Sequence, residues 1–333
     1  MRFKKTLFIL GLTPCFFQTA FAREGLSNFL TPEITEETSP WFTGPLLAPS
    51  AHNIPLGNYD LEPYLFFTTI TGSYNQNWHS KSSPDNFYSM NLVLPGWIGL
   101  TSQIDFTLQP QMFYQFTQGK RSTQFGDLAF GFDIQVLSEE VGTWWPAIKI
   151  GLKATAPTGK YKNLNPDKLG TDAVGSGNWN PAATLVFGRL FHIYDNHFLA
   201  PRLGFSYTVP TPTHVSNLNS YGGTSGTKGT AYPGNSFYTD FGVEYNMSRN
   251  WVFAMDFYYQ HNNKNRFSGN PGMTSQGDAA VVTRPSAESF SLAPALEYNW
   301  SANIGLIGGV WFTVGGRNTS RFVSGVLAFN VYI

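Results

Sequence analysis

Catalysis or metal binding in this chain would have to rest on its six histidines and its carboxylates, since the only cysteine is Cys15. His192 and His197 share one short connection. His79, His214 and His261 fall in long polar connections, and His52 precedes the first strand. Two histidines in one turn fall short of the three or four protein ligands a zinc site takes. A protease-type pair would join His214 or His261 to Asp278, and a lipase-type pair would need a serine beside a histidine. No spacing along the chain supports either. Gly222-Gly223 and Gly315-Gly316 lack the Lys-Ser/Thr and the helix that follow a phosphate-binding glycine loop. No catalytic, cofactor or metal residue is assigned, and the chain is expected not to be an enzyme.

A second set of charged residues has regular placement. Over residues 104–116, Ile104, Phe106, Leu108, Pro110, Met112, Tyr114 and Phe116 alternate with Asp105, Thr107, Gln109, Gln111, Phe113 and Gln115. That two-residue period belongs to a strand with one apolar and one largely polar face. Residues 128–136, 148–154 and 251–259 repeat it. Parity then puts Asp60, Glu62, Asp105, Asp127, Asp133, Asp240, Glu244, Asp256 and Glu297 on the polar face. Only Lys149, Lys153 and Arg202 join them.

The elements that carry these residues are expected to form a transmembrane antiparallel β-barrel. Charged residues are 13% of the chain and aromatics 16%, against about 25% charged in a soluble domain. No stretch after the amino terminus is apolar enough for a spanning helix. Twelve strands are expected, near 58–73, 87–98, 104–116, 125–137, 146–157, 180–191, 198–210, 235–247, 251–261, 286–298, 304–314 and 321–333. Most are long enough to cross a bilayer at a tilt. Short connections (99–103, 138–145, 192–197, 248–250, 299–303) alternate with long Gly-, Ser-, Asn- and Lys-rich ones (74–86, 158–179, 211–234, 262–285), the barrel arrangement. The connections 117–124 and 315–320 are shorter members of the long set. Trp97, Trp144, Trp145, Trp251 and Trp300 fall beside the short turns, as one interfacial girdle would place them.

In such a barrel the apolar faces meet lipid and the polar faces line the lumen. The inward charges (Asp105, Asp127, Asp133, Lys149, Lys153, Arg202, Asp240, Glu244, Asp256, Glu297) are the permeation candidates. Asp127 and Asp133 lie within pairing reach of Lys149 and Lys153 on the next strand. Asp240, Glu244 and Asp256 have no basic neighbour on their two strands and are expected to dominate cation selectivity. Phe113, Tyr238, Tyr258, Ile307 and Trp311 add apolar lumenal surface. The long connections carry Lys81, Lys120, Arg121, Lys160, Lys162, Lys168, Lys228, Lys264, Arg266 and Arg284. This basic rim suits the phosphates of lipopolysaccharide.

Residues 1–22 read as a cleaved signal peptide. Arg2, Lys4 and Lys5 precede an apolar run, and Ala20-Phe21-Ala22 gives the cleavage site. It suits cleavage better than a lipoprotein site at Cys15, where Pro14 is a poor neighbour. The mature chain keeps 18 basic against 21 acidic residues and no cysteine. That balance argues against nucleic acid as a partner and leaves no disulfide. Residues 23–57 form a leader with Pro32, Pro40, Pro45, Pro49 and Pro55 and an apolar piece at Trp41, Phe42, Leu46 and Leu47. A periplasmic tether and a lumen plug both fit it. Residues 58–333 are the barrel. Its last strand, with Val323, Leu327, Phe329, Val331 and Ile333 on one face, resembles the signal read by the barrel-assembly machinery, with Ile333 in place of the usual aromatic.

Gly126-Asp127-Leu128, then Trp145-Pro146-Ala147 leading into Gly151-Leu152-Lys153-Ala154-Thr155-Ala156-Pro157-Thr158-Gly159, then Gly177, form a recognisable run. Over residues 125–210 it is similar to the outer-membrane transporters labelled "MetA-pathway of phenol degradation". Trp41-Phe42-Thr43-Gly44-Pro45 and Leu61-Glu62-Pro63-Tyr64 look like versions of that family from intracellular or amoeba-associated bacteria. The resemblance implies a barrel in the outer membrane of a Gram-negative-type bacterium that passes small, hydrophobic or aromatic molecules. It carries no catalytic or binding residue with it. A non-transporting barrel that makes adhesive or host contacts through its outer loops is the alternative.

Overall fold

The computed structural model describes residues 40–140 and 143–333. The expected signal peptide (1–22) and the expected leader up to residue 39 lie outside the described residues. The described chain is a closed antiparallel barrel of twelve wall strands. In order they are Tyr59–Leu61 with Tyr64–Tyr74; Ser80–Val93 with Gly96–Gly99; Ile104–Gln109 with Gln111–Thr117; Lys120–Phe125 with Leu128–Leu137; Ala147–Ala156; and Asn180–Gly188 with Phe191–Tyr194. Then come His197–Thr208, Ser236–Asn246, Trp251–Asn262, Ala287–Asn299, Ile304–Arg317 and Thr319–Tyr332. Each pairs with the next. The first pairs with the twelfth, in the register Tyr64↔Ala328, and so removes both sheet edges.

Three of the breaks within strands fall at proline. Pro63, Pro95 and Pro110 have no N–H to give to a ladder. Their carbonyls still accept: Phe329 N–H donates to Pro63, Glu62 to Pro95 and Leu94 to Pro110. The wall therefore stays continuous through these breaks.

Parity holds around the barrel. Asp105, Asp133, Asp240, Glu244, Asp256 and Glu297 are wholly buried inside. Phe67, Phe132, Leu152, Phe241, Phe257, Leu296 and Leu327 face outward. Among the described residues no helix is long and apolar enough to span a membrane; the strands do so. Trp144, Trp145, Trp251 and Trp300 are exposed beside the short turns, as expected. Trp97 departs from the expectation. It points inward and packs on Ile54, 3% exposed. Position beside a turn sets its height, but parity sets its face.

The outer connections are more ordered than expected. The second strand starts at Ser80, which shortens the first connection to residues 75–79. The register between Ile70↔Phe87 and Gly72↔Ser82 leaves residues 83–86 bulged out. Thr213–Ser216, Lys228–Tyr232 and Arg266–Asn270 form a separate three-stranded sheet above the rim. Tyr161 and Phe267 pack there on Val215, Tyr221, Ala231 and Val282.

Candidate functional site

The lumen contains residues 41–56 of the leader. From Trp41 to Gly57 the chain enters beside the turn before the ninth strand, crosses the interior and leaves beside the turn before the third. Trp41 N–H donates to Arg249 O at 3.3 Å, and the Arg249 guanidinium lies 4.4 Å from the Trp41 ring centre. At the far end Gly57 N–H reaches Gly99 O at 3.3 Å. With Pro45, Pro49 and Pro55 this segment forms no regular ladder, so its buried amides need other acceptors.

The lumenal carboxylates supply them. Thr43 N–H donates to Glu297 Oε2 at 2.8 Å and Gly44 N–H to Glu244 Oε1 at 3.0 Å. Asp256 accepts from Ala48 at 3.0 Å and from Leu47 at 3.3 Å. On the way out Ile54 N–H meets Asp105 Oδ2 at 3.0 Å and Asn53 N–H meets Gln135 Oε1 at 3.0 Å. Basic and amide groups take the leader's carbonyls. Lys149 Nζ donates to His52 O and Gln135 Nε2 to Ala51 O, both at 2.9 Å. A buried amide left without such a partner would cost about 1–3 kcal/mol.

Packing matches the polar contacts. Leu46 and Leu47 are buried against Tyr64, Phe66, Val93, Tyr238, Tyr258 and Ile307, with Trp311 at the edge. The wall makes room for the rest with inward glycines. A Cβ on Gly242 would stand 2.6 Å from Ala48 Cβ and 2.7 Å from Pro45 Cγ. One on Gly204 would meet Pro49 Cγ at 2.9 Å. Any larger residue there would strike the leader.

The sequence-derived candidates thus divide by partner. Asp105, Glu244, Asp256 and Glu297 hold leader amides, and Lys149 holds a leader carbonyl. Lys153 lies 3.6 Å from Asp133. Arg202 on the seventh strand sits 2.7 Å from Glu244. This corrects the view that the Asp240–Glu244–Asp256 patch lacks a basic neighbour, since the cation comes from the strand on its other side. Asp240 is buried and accepts no hydrogen bond among the described residues. Asp60 accepts from Asn330 Nδ2 at 2.8 Å.

Asp127 does not meet Lys149 or Lys153. Its carboxylate accepts from Gly159 N–H at 2.8 Å and from both Ser176 N–H and Ser176 Oγ at 2.7 Å. Thr158 Oγ1 donates to Gly126 O at 2.8 Å. Gly126-Asp127 and Pro157-Thr158-Gly159, far apart in the chain, therefore build one joint that fixes the loop 158–179 to the rim.

Sequence reasoning missed Gln135, Asn299 and the wall glycines. Asn299 accepts from Thr43 Oγ1 at 2.6 Å and donates to Trp41 O at 3.0 Å. Glycine at inward parity was the available signal. The histidines take other partners. His192 Nε2 lies 2.7 Å from Asp195 O, and His197 Nδ1 lies 2.9 Å from Asn246 O. His214 Nδ1 is 3.2 Å from Thr230 Oγ1, and His261 Nδ1 is 3.3 Å from Glu288. His192, His197 and His261 belong to wall strands and His214 to the outer three-stranded sheet, rather than to connections.

A closed twelve-stranded wall with an apolar outer band and an aromatic girdle defines a bacterial outer-membrane β-barrel. No protein-family model matches the sequence, and no curated protein is similar enough to match it. Among solved structures, the COG4313 outer membrane channel from Pseudomonas putida F1 superposes with a TM-score of 0.63 at 15% identity, covering 85% of this chain and 98% of that one. The transport unit of the autotransporter AIDA-I from Escherichia coli gives 0.44 at 13% identity, covering 83% and 90%. The CymD monoaromatic hydrocarbon channel gives 0.38 at 9%, covering 84% and 89%.

Proposed function

We propose that this barrel is a passive channel for small, hydrophobic or aromatic molecules, closed at rest by its own leader. The observation that carries the reading is the fit between leader and wall. Four lumenal carboxylates hold backbone amides of residues 43–54, and inward glycines leave space for Pro45, Ala48 and Pro49. A tether that merely trails into the periplasm needs neither. Beside the leader stand the Tyr238–Tyr258 stack, with centroids 5.5 Å apart, and Trp311 against Tyr258 at 6.0 Å. Such surface favours aromatic and apolar solutes over ions. The family resemblance at residues 125–210 and the fold shared with a channel support the same reading.

The test is deletion of residues 23–55 with the signal peptide kept. The folded deletion is expected to conduct in planar bilayers and to admit aromatic solutes into liposomes faster than the intact chain. A folded deletion with unchanged conductance and uptake would overturn the proposal. The ordered outer sheet favours a second reading, a surface barrel that contacts other cells. Loop-dependent cell binding by a barrel that stays sealed without its leader would support it.

A further inference from the structure

A hollow of about 670 Å³ opens on the outer rim, lined by no residue of the leader. It arises from the topology. Lys120–Phe125 pairs with Gln111–Thr117 on one side only. The fifth strand, which pairs lower down with Leu128–Leu137, stops at Ala156. The joint at Asp127 then turns the chain away at Gly159. The loop 158–179 covers the open edge at two points. Lys168 Nζ donates to Arg121 O at 3.0 Å, and Ser122 Oγ lies 3.1 Å from Thr171 Oγ1. The cavity is what remains between the edge and the loop.

Its charges are unbalanced. Three cations, Arg121, Lys160 and Lys168, line it with one carboxylate, Asp172. Asp172 is taken by Lys160 at 2.6 Å. The Arg121 guanidinium makes no ion pair or hydrogen bond among the described residues, and Lys168 keeps two N–H donors after its bond to Arg121 O. An exposed guanidinium and an ammonium in one hollow suit a phosphate. The rest of the lining is hydroxyl and amide, from Ser122, Thr123, Gln124 and Asn165, with one aromatic ring, Tyr114, against which a sugar face can pack. That chemistry suits a sugar and does not suit a hydrocarbon.

Position adds the third argument. Register pairs Tyr114 with Thr123 and Phe116 with Arg121, so all four share the lipid-facing side of the wall. Phe116 stacks on Tyr88 with centroids 4.5 Å apart. Aromatics of this kind mark the headgroup level of a membrane. Arg121 and Thr123 therefore stand where outer-leaflet headgroups pass.

We propose that this hollow is a binding site for a phosphorylated sugar, with Arg121 and Lys168 taking the phosphate. Two sources share that chemistry: the lipid A headgroup of lipopolysaccharide, which the lipid-facing position favours, and a free sugar phosphate. The experiment uses the full-length folded barrel in detergent and measures binding of lipid A, of dephosphorylated lipid A and of glucosamine 1-phosphate. It compares wild type with Arg121→Ala/Lys168→Ala and with Lys264→Ala/Arg266→Ala, two other rim cations. All three proteins are first checked for heat-modifiable gel mobility, the sign of a folded barrel.

Lipid A binding is expected to weaken about tenfold or more in Arg121→Ala/Lys168→Ala. The Lys264/Arg266 change is expected to alter it less than about twofold, as for distant exposed charges. Lipid A that outbinds glucosamine 1-phosphate assigns the lipid source. The reverse order, with the same dependence on Arg121 and Lys168, assigns the free one. Equal losses in the two double variants, or dephosphorylated lipid A binding as well as the intact form, would overturn the site.

Discussion

Gly204→Val separates the leader from the wall that holds it. A Cβ at this position would stand 2.9 Å from Pro49 Cγ and 3.1 Å from Pro49 Cδ. The next atom is Asp240 O, at an ordinary 3.9 Å. The added side chain thus meets the leader at its first carbon, while the strand receives a β-branched residue that suits it. Overpacking costs about 1–3 kcal/mol, and here the cost falls on the leader-in state only. The ratio of leader-out to leader-in should rise by about 5–150-fold. Ser50, 1% exposed, reports the change when replaced by cysteine in a Cys15→Ser background. Labelling by a membrane-impermeant maleimide should accelerate in proportion to the out state. Gly325→Val is the comparator, since a Cβ there meets nothing within 4 Å. Equal labelling rates in the two folded variants would refute the reasoning, because the leader would then not be seated against Gly204.

Four further outcomes are expected. Leu327 faces lipid nearer the middle of the closing strand, so Leu327→Arg should cost about 2–4 kcal/mol and reduce the heat-modifiable folded band, while Phe329→Arg, beside the girdle residue Trp300 with centroids 6.3 Å apart, should cost about 0–1 kcal/mol and keep it. Arg202→Leu leaves Glu244 buried without its cation, a loss of about 3–5 kcal/mol visible as a lower thermal midpoint in detergent; Arg202→Leu/Glu244→Leu should recover part of it. In the 23–55 deletion the carboxylates freed from the leader should make the pore cation-selective, and adding Asp240→Asn, Glu244→Gln and Asp256→Asn should move the reversal potential in a salt gradient towards zero. Glu139, in the connection after the fourth strand, is buried and accepts from Leu190 N–H at 3.2 Å, and burial pushes its pKa up to about 7. A carboxyl raised in the folded state gives stability that is present below its ordinary pKa and lost as pH rises through the folded one. Amide exchange at Leu190 should therefore accelerate beyond the intrinsic rate between about pH 5 and 8, and Glu139→Gln should flatten that excess.

The two-residue period and the alternation of short and long connections were enough to derive the barrel. Backbone groups in a bilayer must pair within a closed sheet, so the fold follows from parity and strand length. Parity also placed Asp105, Asp133, Asp240, Glu244, Asp256 and Glu297 inside, because it is a local property of each strand. Their partners are not local. Thr43 meets Glu297 across 254 positions and Gly44 meets Glu244 across 200, and no pattern within a strand records such a pairing. The Asp240–Glu244–Asp256 patch therefore read as open lumenal charge when two of its three members are engaged by the leader. Asp127 was misplaced for the same reason. Its parity is inward, but its height puts it at the rim, where Gly159 and Ser176 claim it. The outer cavity is tertiary in origin as well. It exists because the fourth strand outruns the fifth, and the relative length of two neighbouring strands is decided only when they pair.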